Sequence, residues 1–140
     1  MENIVITEEK LLELFDLAVQ ASKLSYSPYS KFPVGAAILT GDGRIFTGCN
    51  IENRSFGLTN CAERTAMFNA VSEGARRILA VAIATPKSDY PVGPCGACRQ
   101  VLSEFGEGSV PVLFGPNADN LVHSTLGELY PFDSLHELAD

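Results

Sequence analysis

The sequence predicts an α/β fold, a three-layer α/β/α sandwich around a five-stranded mixed sheet. Three observations predict it. Segments with helical apolar periodicity alternate with apolar runs of strand length, in the order α-β-β-α-β-α-β-β-α. The run Ile78 to Ala84 has no polar residue, as in a central strand covered on both faces. Gly41-Asp42-Gly43 sits between two apolar runs and signals a hairpin, so at least one strand pair is antiparallel.

Each element has its own local reason. Thr7 is placed to cap a first helix running to about Ser25, with Leu11, Leu14, Phe15, Ala18 and Val19 on one apolar face. Ser27-Pro28-Tyr29-Ser30 breaks that helix. Val34 to Leu39 and Arg44 to Cys49 are the hairpin strands. Asn60 is placed to cap a second helix from Cys61 to about Glu73, stopped by Gly74. After the strand Ile78 to Ala84 comes a loop to Pro94 with three prolines, then a helix from Gly96 or Ala97 to Phe105. Val110 to Phe114 and Leu121 to His123 read as the last two strands. Ser124 or Thr125 opens a final helical stretch.

The 140 residues suit one domain spanning 1–140, and 46% hydrophobic content is enough for a core. The net charge of −7 repels a phosphate backbone, so nucleic acid is not an expected partner, whereas a small neutral ligand is compatible. No run of about 18 uncharged apolar residues exists to cross a membrane. The start, MENIVITEEK, lacks the basic and apolar regions of a signal peptide, so a cytoplasmic location is expected. Thiols stay reduced there, which directs the four cysteines toward metal or redox chemistry.

Pro94-Cys95-Gly96-Ala97-Cys98 is the strongest local signal. Alone, the two cysteines read as half a zinc site, as a thioredoxin-like redox pair, or as chance. The redox pair belongs after the first strand of a sheet, and this one follows the third. Cys61-Ala62-Glu63 supplies a third thiolate from another helix start, with a carboxylate two residues on. Three protein ligands leave the fourth zinc position for water, the mark of a catalytic site. Zinc brings the pKa of water from about 16 toward 7. Glu63, beside a ligand but not one itself, is then suited to move protons. Its bland alternative is the third position of a capping box behind Asn60. Arg64 is placed to donate to ligand sulfurs, or is a surface charge. Cys49 has no partner at ligand spacing and reads as a buried structural thiol.

Together, four segments resemble the small homotetrameric zinc-dependent cytidine deaminases. They are Ser27 to Ala37 (SPYSKFPVGAA), Gly48 to Asn53 (GCNIEN), Cys61 to Ala66 (CAERTA) and Pro94 to Val101 (PCGACRQV). In the wider zinc-deaminase pattern His-x-Glu…Pro-Cys-x-x-Cys, Cys61 stands where others carry His. The resemblance covers about residues 7 to 132. It implies one Zn²⁺ per subunit on Cys61, Cys95 and Cys98, and Glu63 as the catalytic group. Asn50 and Glu52 would hydrogen-bond the ribose, Phe32 would pack on the pyrimidine and the Ala62 N–H would bind the base carbonyl. The Gly93 carbonyl would face the amine, and Arg64 would steady the thiolates. The assembly implied is a homotetramer whose sites receive groups from neighbours, Phe132 being the candidate aromatic. There are three departures. Phe56 replaces a tyrosine of some relatives, Gly93 replaces Ser or Thr, and the stretch Glu128 to Asp133 is short. The glycine leads to the expectation of a roomier pocket that tolerates substituents on the 4-amino nitrogen.

The function expected is hydrolytic deamination of cytidine and 2′-deoxycytidine. A blasticidin-type nucleoside deaminase is the rival on the same scaffold. A structural zinc module would need a fourth protein ligand, and the two histidines, His123 and His136, match no metal spacing. A polynucleotide deaminase conflicts with the charge of −7.

Overall fold

The computed structural model describes residues 4–133 and residue 138, so His136 lies outside the described residues. Helix α1 spans Glu8–Ser22, and the Thr7 hydroxyl accepts from the Lys10 N–H at 3.1 Å. It stops three residues before the expected Ser25. The N–H groups of Leu24 and Ser25 turn back to Ala21 and Ser22, and the Ser25 hydroxyl leaves the helix to bond the Asn50 side chain. That long-range bond outweighs one more turn of helix.

Strands β1 (Gly35–Thr40) and β2 (Ile45–Cys49) form the expected hairpin, with Gly35 opposite Cys49. A 3₁₀ turn at Phe56–Leu58 precedes α2 (Ala62–Ser72). Then follow β3 (Ile78–Ala84), α3 (Gly96–Phe105), β4 (Pro111–Gly115), β5 (Val122–Thr125) and α4 (Leu126–Leu129). The strand β5 begins one residue later than expected and runs to Thr125, because pairing sets Thr125 opposite Pro111. The last helical region is a single turn capped by Thr125.

The sheet order is β2-β1-β3-β4-β5; β3 and β4 are parallel and the other pairs antiparallel. Alternation along β1 and β3 sends Ala36, Ile38, Val81 and Ile83 to the face covered by α2 and α3. Ala37, Leu39, Ala80, Ala82 and Ala84 go to the other face, under Leu11, Leu14, Phe15 and Ala18 of α1. These two cores are the outer joints of the expected sandwich. Alanines and glycines let the helices lie close. A Cβ at Gly35 would stand 1.8 Å from the Ala18 carbonyl oxygen, and one at Gly48 would stand 2.4 Å from the Ala66 nitrogen. Among the described residues no helix is long and apolar enough to cross a membrane. His123 on β5 pairs with Glu8, Nε2 to Oε1 at 2.7 Å, and is not part of the cysteine group.

Candidate active site

The carboxyl ends of the parallel strands β3 and β4 open onto the N-termini of α2 and α3, the usual place for a ligand in an α/β sheet. Cys61 is the N-cap of α2 and Cys95 the N-cap of α3, both in extended backbone conformation. Cys98 follows in the first turn of α3. Two helix N-termini therefore favour negative charge at one point. The sulfurs of Cys61, Cys95 and Cys98 all lie within 4.8 Å of one another, with 3.8 Å between the first two and 3.5 Å between the last two. Three soft donors on one locus fit Zn²⁺. Among the described residues no fourth Cys, His or carboxylate joins the group.

Arg64, one helical position past Glu63, donates from Nη2 to the Cys61 sulfur at 3.2 Å. A hydrogen bond from the Cys98 thiol is the main cause that pulls the Cys61 pKa down to about 5; burial opposes it and Arg64 assists. Their bond pushes the Cys98 thiol up correspondingly. Glu63 is 4% exposed, and burial raises its pKa. The capping-box alternative for Glu63 fails on geometry. Asn60 remains extended, bridged to Ile51 through both backbone groups at 2.9 Å, and its side chain donates to Thr65. The cap is thus Cys61, and Glu63 is the second helical residue rather than the third.

A cavity of about 190 Å³ adjoins the sulfurs. Phe32, Val34 and Asn50 line it from the β1–β2 end, Ile83 and Thr85 from the end of β3, and Val92 and Gly93 from the following loop. Cys61, Ala62, Glu63 and Cys95 complete it with Thr59. Ala62 is the first residue of α2, where N–H groups lack a helical partner. Asn50 is buried, and its Oδ1 accepts from the Val34 N–H at 2.9 Å and from the Ser25 hydroxyl. Its Nδ2 donates to the Phe32 carbonyl at 2.9 Å, which leaves one N–H for a ligand. Glu52 does not line the cavity. Its carboxylate accepts from the N–H groups of Tyr29 and Ser30 and from the Ser30 hydroxyl, which hold its pKa down.

Two expectations meet the structure differently. A Cβ at position 93 would face Arg99 Nη2 at 3.3 Å and the Phe114 ring at 3.5 Å, and neither residue lines the cavity. The space freed by Gly93 therefore lies behind the wall, and a wider recess for substituents at the leaving group does not follow. Phe132 is 99% exposed and stands away from the sulfurs, on a separate cavity of about 650 Å³ between the C-terminal ends of α3 and α4. Within one subunit it does not join the site. Phe56 is also exposed, its ring edge-on to Tyr29 at 5.7 Å.

Sequence reading passed over two residues. Thr85 ends the apolar run of β3 inside the cavity; its place at the carboxyl end of a central strand was the available signal. Arg99 donates from Nε to the Pro94 carbonyl and from Nη1 to the Leu129 carbonyl, both at 2.7 Å, and so braces the loop that carries Cys95. Its signal was its place in the Pro94 to Val101 segment.

The family model for the cytidine and deoxycytidylate deaminase zinc-binding region matches residues 8–114. The cytidine deaminase of Sporosarcina psychrophila is 51% identical over 112 residues, covering 80% of this chain and 82% of that protein. The crystal structure of cytidine deaminase from Burkholderia pseudomallei superposes with a TM-score of 0.83 at 41% identity, covering 91% of this chain and 98% of the other. The blasticidin-S deaminase of Bacillus cereus is 36% identical over 127 residues, covering 86% of this chain and 89% of that protein. Matched along most of its length in sequence and in fold, and carrying three cysteines converged for one ion, this chain belongs to the zinc-binding family of cytidine and deoxycytidylate deaminases.

Proposed function

We propose that the chain hydrolyses cytidine and 2′-deoxycytidine to uridine and 2′-deoxyuridine with release of ammonia. The observation that carries the reading is the three-sulfur cluster beside the buried Glu63 in a cavity of nucleoside-base size. Cys61, Cys95 and Cys98 would hold Zn²⁺, which would supply the acidity that makes water a nucleophile at neutral pH. Glu63 would accept one proton from the attacking water and deliver it to the ring nitrogen next to the reacting carbon, then carry the remaining proton of the added hydroxyl to the amine, which leaves as ammonia. Burial suits it to this exchange, because a carboxyl with a raised pKa both accepts and returns a proton. Arg64 steadies the Cys61 sulfur.

Phe32 packs on the pyrimidine, the Ala62 N–H takes the base carbonyl and the Gly93 carbonyl receives the amine. Asn50 donates its free N–H to the ribose, and the free lone pair of Glu52 accepts from it. Residues 1–140 work as one unit in a homotetramer, with Phe132 reaching a neighbour's site. Support for the assembly comes from apolar side chains outside the subunit's core: Phe56 is 73% exposed, Leu58 71%, and Phe132 nearly bare. The unpaired state of all four cysteines suits the cytoplasm. The substrate is a free nucleoside, and neither nucleic acid nor a membrane is a partner.

Loss of cytidine absorbance with purified zinc-loaded protein tests the reading. Turnover is expected, and it should vanish on chelation and return with zinc. Inertness toward cytidine, with turnover of blasticidin S instead, would transfer the chain to the rival substrate.

A further inference from the structure

Thr85 is 2% exposed, and its hydroxyl oxygen is buried without a hydrogen-bond partner. The residue lines the cavity beside Glu63 and the cysteines. Its backbone is fixed from the sheet, since its N–H donates to the Gly115 carbonyl at 3.1 Å. The strand register explains why the side chain stands there. Gly35 lies opposite both Cys49 and Ala84, so one residue further along, Asn50, Val34 and Thr85 form a row across the ends of β2, β1 and β3. All three line the cavity.

A buried hydroxyl without a partner is unfavourable, and an isosteric methyl in its place removes that cost. Such a group is at home where a ligand completes its hydrogen bonding. We propose that the Thr85 hydroxyl hydrogen-bonds a polar edge of the bound pyrimidine, as a further specificity-determining contact of this site. The assignment rests on the nucleoside deaminase reading above. Its physical signature is an opposition between stability and binding. Removing the hydroxyl leaves the free enzyme as stable or more stable, while the complex loses one contact.

Thr85→Val and Thr85→Ser test it in the zinc-loaded enzyme, through kcat/KM for cytidine, inhibition by uridine, and the thermal midpoint without ligand. For Thr85→Val the midpoint is expected to hold or rise. Its kcat/KM should fall about three- to tenfold and uridine should bind weaker by a similar factor, as one neutral hydrogen bond supplies. Thr85→Ser keeps the oxygen and should recover most of both binding losses. Two results overturn the assignment. One is Thr85→Val matching the wild type in kcat/KM and uridine inhibition. The other is a fall in midpoint that accompanies the loss of activity, with serine restoring both, which marks a structural hydroxyl. A wild-type chain that consumes no cytidine defeats the functional reading and the Thr85 assignment with it. One that does, with Thr85→Val unchanged, defeats the Thr85 assignment alone.

Discussion

Glu63 shows how a single residue's meaning depends on a shift of one position. Had α2 begun at Cys61, the carboxyl would have stood where capping glutamates stand. With Cys61 as the cap it is buried beside the sulfurs instead. Glu63→Gln removes the proton carrier and keeps the side chain's shape. The variant should retain the fold and its zinc by elemental analysis, while turnover of cytidine falls by a factor of about 10² to 10⁴ or more. Near-normal turnover would remove the proton-transfer role. Asn50 illustrates the opposite case, a residue whose side chain is largely committed to the protein. Three of its hydrogen bonds hold Ser25, Phe32 and Val34, so the loop that presents Phe32 to the cavity hangs on it.

At the scale of elements, the site depends on two helices starting at one place, and their start points are set by close backbone approaches. Gly48 on β2 lies against the first turns of α2, where a Cβ would stand 2.4 Å from the Ala66 nitrogen and 2.7 Å from the Ala62 oxygen. These are backbone atoms, so no side-chain rotation relieves the clash. Gly48→Ala should therefore push α2 outward, costing about 2 kcal/mol of stability. Because α2 carries Cys61, the same variant should release zinc faster to a chromophoric chelator. Unchanged thermal midpoint and unchanged zinc release would show that α2 tolerates the displacement. Arg99 plays the matching part on α3. Its two short bonds to carbonyls tie the Pro94–Cys95 loop to the end of α4.

For the whole molecule, the distribution of apolar side chains points outward as well as inward. The two cores on either side of the sheet are closed, yet Phe56, Leu58 and Ile51 remain exposed on the stretch between β2 and α2. Light scattering is expected to find a mass of four 15.0 kDa chains. Phe56→Asp with Leu58→Asp should reduce that mass and lower activity together, if neighbours complete one another's sites. A monomeric, fully active wild type would refute the assembly and the role given to Phe132.

The fold was legible because its signals are local. The unbroken apolar run of β3, the Gly41-Asp42-Gly43 turn and the capping threonine before α1 each act over a few residues. Element order and type followed from them directly. The ligand triad was legible for the same reason, since Cys95 and Cys98 share one turn and Cys61-Ala62-Glu63 another. What lay between segments was not. The early end of α1 comes from a bond between Ser25 and Asn50, 25 residues apart. The true cap of α2 comes from a bridge between Ile51 and Asn60. The direction of a side chain at position 93 depends on Phe114 and Arg99, and the unpaired hydroxyl of Thr85 on the packing of β3 among its neighbours. The sequence by itself determined which residue types were available and in what order of elements. Only tertiary structure decided which of them share a cavity, because that depends on register and on backbone contacts between segments with no local imprint on one another.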